Sequence, residues 1–429
     1  QLHDSNKWFT FSALLVFNAS WLLFSSLFSL YTKDTLSVTE KMLRFTFRTL
    51  LAHTIFFTVL YYLFNSSNFN AKFVIATFCS ISVLLIVSRF LLTYAMEFLF
   101  KKVMPQKRIA IVGNNNEAVK LAEFFNNNKS FYNLTEIVGA DSKIIMNSNG
   151  SLIGNVKDYV DFAVENKISE IYSTILPTEN KQVQELAQIA ENRCVRVRFV
   201  TEKSVDSSDY FHVDFFSQMP VISLRAEPLL EGHNSLKKRV FDLLVSSAVI
   251  IFLLSWLTPL LAILIKLSSK GPVFFKQERS GRNNKSFWCY KFRSMTINGG
   301  SDAFQATKND NRVTRLGSFL RKTSIDELPQ FFNVIKGNMS ISGPRPHMLL
   351  HTTKYSAIIN QYMVRQFLKP GITGWAQVNG YRGETSDTSL MEKRIEHDIW
   401  YMENWSLMLD IKIVFMTAIN IFKGESNAY

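Results

Sequence analysis

The chain has 429 residues, 47% of them hydrophobic and 14% aromatic, with a formal net charge of +13. That length suits two or three domains with real cores, and 37 phenylalanines point toward lipid. The positive balance suits an anionic partner, whether nucleic acid, lipid headgroup or phosphorylated substrate, and Cys79, Cys194 and Cys289 are too scattered to form a disulfide framework.

In chain order, three apolar runs come first: Phe9 to Tyr31, Leu43 to Phe64 and Phe73 to Phe100. Each approaches the ~20 residues that a helix needs to cross a bilayer. Lys33, Lys41, Arg44 and Arg48 cluster after the first run, and Lys101, Lys102, Lys107 and Arg108 follow the third. Basic loops stay inside, so residues 31–48 and everything after 101 are expected in the cytoplasm. The chain starts at Gln1, and with its N-terminus outside a preceding fourth span is expected.

From Gln106 the pattern changes. "KRIAIVGN", "LTEIVGAD", "SEIYSTILP" and "CVRVRFV" read as strands, and "EAVKLAEFFNN", "VKDYVDFAVENK" and "ENKQVQELAQIAEN" as helices between them. Alternation of this kind predicts a parallel, doubly wound Rossmann-like module. Its first turn, Gly113-Asn114-Asn115-Asn116-Glu117-Ala118, keeps one of the glycines that let backbone approach a pyrophosphate, so no bound NAD is expected. "DSSDYFHVDFFSQMPVISLR" reads as a link to the rest.

A further apolar run, Phe241 to Pro272, is flanked on both sides by basic residues: Lys237, Lys238 and Arg239 before it, Lys266, Lys270, Lys276, Arg279 and Arg282 after. Pro259 interrupts it, removing a backbone hydrogen bond. A transmembrane helix with a proline kink is compatible with this. The basic flanks favour a helix bent at Thr258-Pro259 that enters one leaflet and returns.

Within "TSIDELPQFFNVIKGNMSISGPRP", Asp326 and Glu327 stand side by side. Ser324 and Glu327 have the S-x-x-E spacing of a capping box, which alone accounts for both carboxylates as partners of a helix dipole. The same helix N-terminus could present Asp326 ionised beside N–H groups that stabilise phosphoryl oxygens. Arg345 sits stiffly between Pro344 and Pro346, and an Arg fork fits phosphate bidentately. His347 and His351 lack further ligands at zinc spacing and read as ordinary polar residues.

Three segments, "KGPVFFKQERSGRNNKSFWCYKFRSM", "LRKTSIDELPQFFNVIKGNMSISGPRPH" and "KPGITGWAQVNGYRGET", together with the C-terminal tail, closely resemble the bacterial sugar transferases that load a phosphosugar onto polyprenyl phosphate. Within that family, the large subclass with N-terminal spans and a degenerate Rossmann-like module, and its glucose phosphotransferases, are the nearest in pattern. The resemblance implies Asp326 as the nucleophile that carries an aspartyl-phosphosugar, and Glu327 as its partner in holding Mg²⁺. It implies Arg321 and Arg345 as phosphate-facing cations, and, less directly, Lys291 and Arg293. The partners implied are a UDP-sugar, undecaprenyl phosphate and membrane lipid, with no nucleic acid, and a homodimer is expected.

The expected fold is a membrane protein of the α + α/β class. It comprises an N-terminal transmembrane helix bundle over residues 1–100 and a Rossmann-like doubly wound module over 101–225. Residues 226–429 would form a mainly helical α/β catalytic domain at the cytoplasmic membrane face, with a re-entrant helix at about 237–268. Two enzyme rivals fit less well: a tethered nucleotide-sugar dehydratase needs an intact glycine loop, and metal-dependent glycosyltransferases often carry a D-x-D that is absent here. A membrane scaffold with a capped helix is the third alternative.

Overall fold

The computed structural model describes residues 2–31, 39–64, 76, 79–91, 94, 106–113, 115–127, 132–138, 145–146, 152–153, 155–200, 212–216, 219–296, 310–383 and 387–423. The basic positions Lys33, Lys101 and Lys102, and much of the third apolar run, lie outside them. The chain forms two compact units, residues 1–102 and 103–429.

In the first unit, α1 (Leu2–Leu27) and α2 (Thr39–Phe64) are followed by the apolar helix α3 (Cys79–Leu91). Helices α1 and α2 pack through aromatic rings around His53, whose Nε2 lies 3.2 Å from the Phe17 carbonyl and 3.1 Å from Ser20 Oγ. Such a polar contact between apolar helices fixes their register. Among the described residues, two helical stretches are long and apolar enough to cross a membrane: Glu40–Leu60 here and Gly232–Ser268 in the second unit.

The second unit opens with a six-stranded sheet in the order β2-β1-β5-β6-β8-β7. Strands β1 (Lys107–Val112), β2 (Tyr132–Val138), β5 (Glu170–Ser173) and β6 (Arg196–Val200) run parallel. The short hairpin β3 (Ile145–Met146) and β4 (Leu152–Ile153) stands apart from them. The helices α4 (Asn116–Asn127), α5 (Val156–Glu165) and α6 (Lys181–Asn192) cover the sheet with their apolar stripes, α5 and α6 each started by an Asn N-cap. The segment read as a link instead supplies β7 (His212–Phe216) and β8 (Met219–Ser223), an antiparallel pair that extends the sheet beyond β6. Their period-2 pattern is the signal the linker reading passes over.

One continuous helix then runs from Gly232 to Ser268, 37 residues or about 55 Å at 1.5 Å per residue. It consists of α7 (Gly232–Val249), a π turn at Ile250–Leu254 and α8 (Ser255–Ser268). The irregularity therefore precedes Pro259, which sits inside α8. Proline frees the carbonyl four residues back, and a widened turn on that side relieves the clash. In this stretch Ser255 Oγ bonds back to the Ile251 carbonyl at 2.6 Å.

One stripe of this helix packs on the globular domain: Ile250, Leu254, Leu257, Leu261 and Ile265 lie in one apolar cluster with Phe292, Leu320 and Phe331. The opposite face exposes Leu244, Ile251, Phe252, Trp256, Ile263 and Leu267. At the helix start, Lys238 Nζ donates to Asp410 Oδ2 at 2.8 Å and Asp242 Oδ1 accepts from Ser340 Oγ and the Ile341 N–H. At its end, the buried Arg293 guanidinium donates to the carbonyls of Ile265, Ser269 and Lys270. Both ends are thus tied to the same body.

Around this helix stand the hairpin β9 (Phe274–Ser280) and β10 (Ser286–Phe292), and the helices α9 (Arg315–Lys322), α10 (Gln330–Lys336) and α11 (Leu349–Ile358). The short pair β11 (Ser340–Ser342) and β12 (Gly371–Thr373), then α12 (Trp375–Val378), α13 (Thr388–Glu403) and α14 (Leu407–Lys423), complete the domain.

Candidate active site

The carboxylate pair sits on a 3₁₀ turn, Ile325–Glu327, wedged between α9 and α10. No capping box forms. Ser324 adopts a left-handed backbone, φ 58°, and its hydroxyl accepts a hydrogen bond from Arg382 at 2.7 Å. The α-helix starts only at Gln330, after Pro329. Glu327 is therefore not a helix N3 residue but a buried acceptor.

Three cations surround it. Lys291 Nζ reaches Glu327 Oε1 at 2.8 Å, Arg345 Nη2 reaches the same oxygen at 2.9 Å, and Arg382 Nη2 lies 3.9 Å from Oε2. Burial would raise the Glu327 pKa, but Arg345, Lys291 and Arg382 hold it well below the ordinary carboxylate range. Asp326 is equally buried, and among the described residues no hydrogen bond or ion pair holds its carboxylate. Burial pushes its pKa up to about 6, and the neighbouring Glu327 charge adds to this against Lys291, Arg321 and Arg345. Two adjacent carboxyls are thus driven apart, one locked as an anion and one poised near neutrality.

Each cation has a structural reason to be there. Lys291 projects from β10, which Asn333 of α10 fastens through its Oδ1 to the Tyr290 N–H and its Nδ2 to the Trp288 carbonyl. Arg345 follows β11, which pairs with β12 so tightly that Gly343 N donates to the Thr373 carbonyl and Gly371 N to the Pro344 carbonyl. A Cβ on Gly343 would stand 2.5 Å from the Lys369 carbonyl oxygen, so this crossing needs glycine. Arg345 Nη1 also donates to Gln377 Oε1 at 3.0 Å. Arg321, on the last turn of α9, contributes charge toward Asp326 and contacts Met295 Sδ at 3.7 Å.

Lys291, Arg321 and Arg345 are thereby brought to the pair. Arg293 is not: it caps the long helix, as described above. Thr258 and Pro259 lie on that helix, in α8. His347 is buried against the Tyr362 hydroxyl at 2.6 Å and between Arg365 and Arg394; burial and those two charges hold it neutral. Arg382 and Gln377, in "GWAQVNGYRGET", are site residues that sequence reading did not single out. The cue was a basic residue two positions after Gly380, whose φ of 95° marks a sharp turn.

The donors present suit Mg²⁺ in one respect. Mg²⁺ is commonly held by one or two carboxylates and by substrate phosphates; Asp326 offers a carboxylate with no cation on it. Glu327 already accepts from Lys291 and Arg345 on Oε1, which leaves Oε2 as its more open oxygen. Among the described residues no group of three or more His, Cys, Asp or Glu side chains gathers at one point.

Among the described residues, a buried carboxylate with no bonded partner stands beside one held by cations, in a domain that carries a long apolar helix; such a pair suits phosphoryl transfer involving a lipid-borne substrate. Residues 233–424 match the family described as bacterial sugar transferase, and residues 26–201 match one described as a CoA-binding domain. The chain is similar to the UDP-glucose:undecaprenyl-phosphate glucose-1-phosphate transferase of Escherichia coli (strain K12), with 38% identity over 367 residues, 85% of this chain and 77% of the relative. A namesake from Xanthomonas campestris pv. campestris is 36% identical over 81% of this chain and 73% of its own length. The UDP-N-acetylgalactosamine-undecaprenyl-phosphate N-acetylgalactosaminephosphotransferase of Aeromonas hydrophila is 48% identical over 189 residues, 44% of each chain. The chain belongs to the bacterial sugar transferase family.

Proposed function

We propose that this protein transfers glucose-1-phosphate from UDP-glucose to undecaprenyl phosphate, releasing UMP and leaving a lipid-linked diphosphate sugar. The observation that carries the reading is the contrast, among the described residues, between Asp326, which has no bonded partner, and Glu327, which has three cationic ones. The names of the full-length relatives supply the substrates.

In the proposed route an Asp326 oxygen attacks the phosphorus that bears the sugar. The bond from that phosphorus to the oxygen of the UMP phosphate breaks, and UMP leaves with the electron pair. An oxygen of undecaprenyl phosphate then attacks the same phosphorus and expels the Asp326 carboxylate. One phosphoanhydride replaces another, so no outside energy is needed. Arg345, Arg321 and Lys291 screen the approach of an anionic nucleophile to an anionic diphosphate, and the Glu327 charge keeps the Arg345 and Lys291 side chains in place. Mg²⁺, when bound with the substrate phosphates, would supply further charge neutralisation.

The long helix supports a membrane position for this chemistry. Its two ends are bonded to one domain, and one stripe packs on that domain along its length. A straight crossing would drag the polar domain into the ~30 Å hydrocarbon layer, where unsatisfied polar groups are costly. A helix that enters and leaves at one face avoids this, with the catalytic domain on the cytoplasmic side of the inner membrane. Exopolysaccharide or capsule synthesis is the process such a product would start.

The strong local identity to an N-acetylgalactosamine enzyme favours a second sugar. Incubating the full chain with UDP-glucose or UDP-N-acetylgalactosamine, Mg²⁺ and undecaprenyl phosphate decides both points. UMP with one of the two sugars fixes the donor, whereas UDP as product, or no turnover with either, overturns the proposal.

A further inference from the structure

Behind Arg345 lies a buried charged knot that the proposed chemistry does not use. Arg365 sits on a 3₁₀ turn, Tyr362–Phe367, entered through Gln361 at φ 62°. Its side chain is almost wholly buried and divides its donors three ways. Nε donates to Asp398 Oδ2 at 2.8 Å, Nη2 to the Arg345 carbonyl at 2.8 Å, and Nη1 meets His347 Nδ1 at 3.1 Å. The same turn sends the Tyr362 hydroxyl to His347 Nδ1. Residues 345 and 347 are therefore gripped from one turn, two positions apart, while the Arg345 side chain points the other way to Glu327 and Gln377.

The cost of this arrangement argues that it is retained for placement. Burying an Arg–Asp pair gains little net stability over apolar packing. What the guanidinium fork adds is planar, three-way geometry, which an ammonium cannot reproduce. The turn has its own support: Arg196 of β6 lies over the Phe367 ring with its guanidinium carbon 4.1 Å from the centroid, and Arg196 is itself bonded by Glu227. Asp398 comes from α13, so two further elements, β6 and α13, brace the turn from which Arg365 reaches the Arg345 carbonyl.

We infer that Arg365 is a positioning residue for the transfer reaction: through the Arg345 carbonyl it sets where the Arg345 fork meets the substrate phosphates. This rests on the function proposed above, because Arg345 must touch the diphosphate for its placement to matter.

The test uses the full chain with UDP-glucose and undecaprenyl phosphate, reading UMP release, KM and kcat. Arg365→Lys keeps a cation beside Asp398, so the fold is retained, but loses the fork. The inference predicts a KM for UDP-glucose raised about tenfold, with the unfolding midpoint within a few degrees of the parent. In an Arg345→Lys background, Arg365→Lys should add less than about threefold, because the two act through one group. A purely structural role would lower the active fraction, and hence apparent kcat, without moving KM, and would multiply equally in both backgrounds; either result overturns the inference. If Arg345→Lys alone raises KM while Arg365→Lys does not, only this inference fails. If the parent enzyme releases no UMP, the proposed function fails with it.

Discussion

Asp326 and Glu327 are neighbours on one 3₁₀ turn, yet among the described residues only Glu327 is bonded by cations: Lys291 and Arg345 bond it directly and Arg382 stands 3.9 Å away. Burial is similar for both, so the difference in their acidity comes from partners and not from depth.

An ionised Asp326 should therefore be a stability liability. Its folded pKa, about 6, is raised above the unfolded value, so stability is lost as pH climbs from about 4 through about 6. At pH 8 the cost approaches ~3 kcal/mol, two units at ~1.4 each. Asp326→Asn is expected to raise the unfolding midpoint by several degrees at pH 8 and to give no gain at pH 4, as thermal unfolding in detergent can measure.

Glu327→Gln should do the reverse. It leaves Lys291 and Arg345 clustered without their anion, and removing one member of a buried pair costs about 3 kcal/mol or more. Unfolding in denaturant at pH 7.5 should show a lower midpoint with an unchanged slope.

If Asp326 attacks as proposed, it does so ionised, and the rate of UMP release should fall on the acid side with an apparent pKa near 6. The charges facing it are Lys291 from β10, Arg321 from α9, Arg345 from the loop after β11, and Glu327 beside it. Lys291→Met removes a cation that lowers the Asp326 pKa, so the limb should move to higher pH. A pH profile of single-turnover UMP release checks this.

The two faces of the long helix should respond differently. Leu254, buried against Phe292 and Leu320, should cost ~2–4 kcal/mol when changed to Ala. Phe252, 78% exposed, should tolerate Glu in detergent but destabilise the protein in lipid vesicles. Unfolding in vesicles alongside unfolding in detergent separates the two effects.

Much of this was legible in residue order. Strands such as "KRIAIVGN" announce themselves by buried β-branched residues, and the amphipathic "VKDYVDFAVENK" by its spacing, because local pattern and tertiary burial agree there. The capping box failed for a physical reason: Ser324 takes a left-handed backbone and the helix starts only at Gln330, while the Ser324 hydroxyl accepts from Arg382, 58 residues away, a donor no local pattern can report. Arg293 looked like a phosphate ligand because a basic residue in a motif carries no mark of direction. At the end of β10 it turns toward the carbonyls of a helix terminus instead. The positioning role of Arg365 was equally hidden, since it depends on a backbone carbonyl twenty residues earlier.

The most direct measurement is a trapping experiment in the absence of lipid acceptor. Full-length protein mixed with UDP-glucose labelled in the phosphate next to the sugar should release one UMP per active site. It should retain the label on the peptide containing Asp326, and lose it when undecaprenyl phosphate is added. Label on another residue, or a protein that forms lipid-linked product at full rate with Asp326→Asn, would contradict the account.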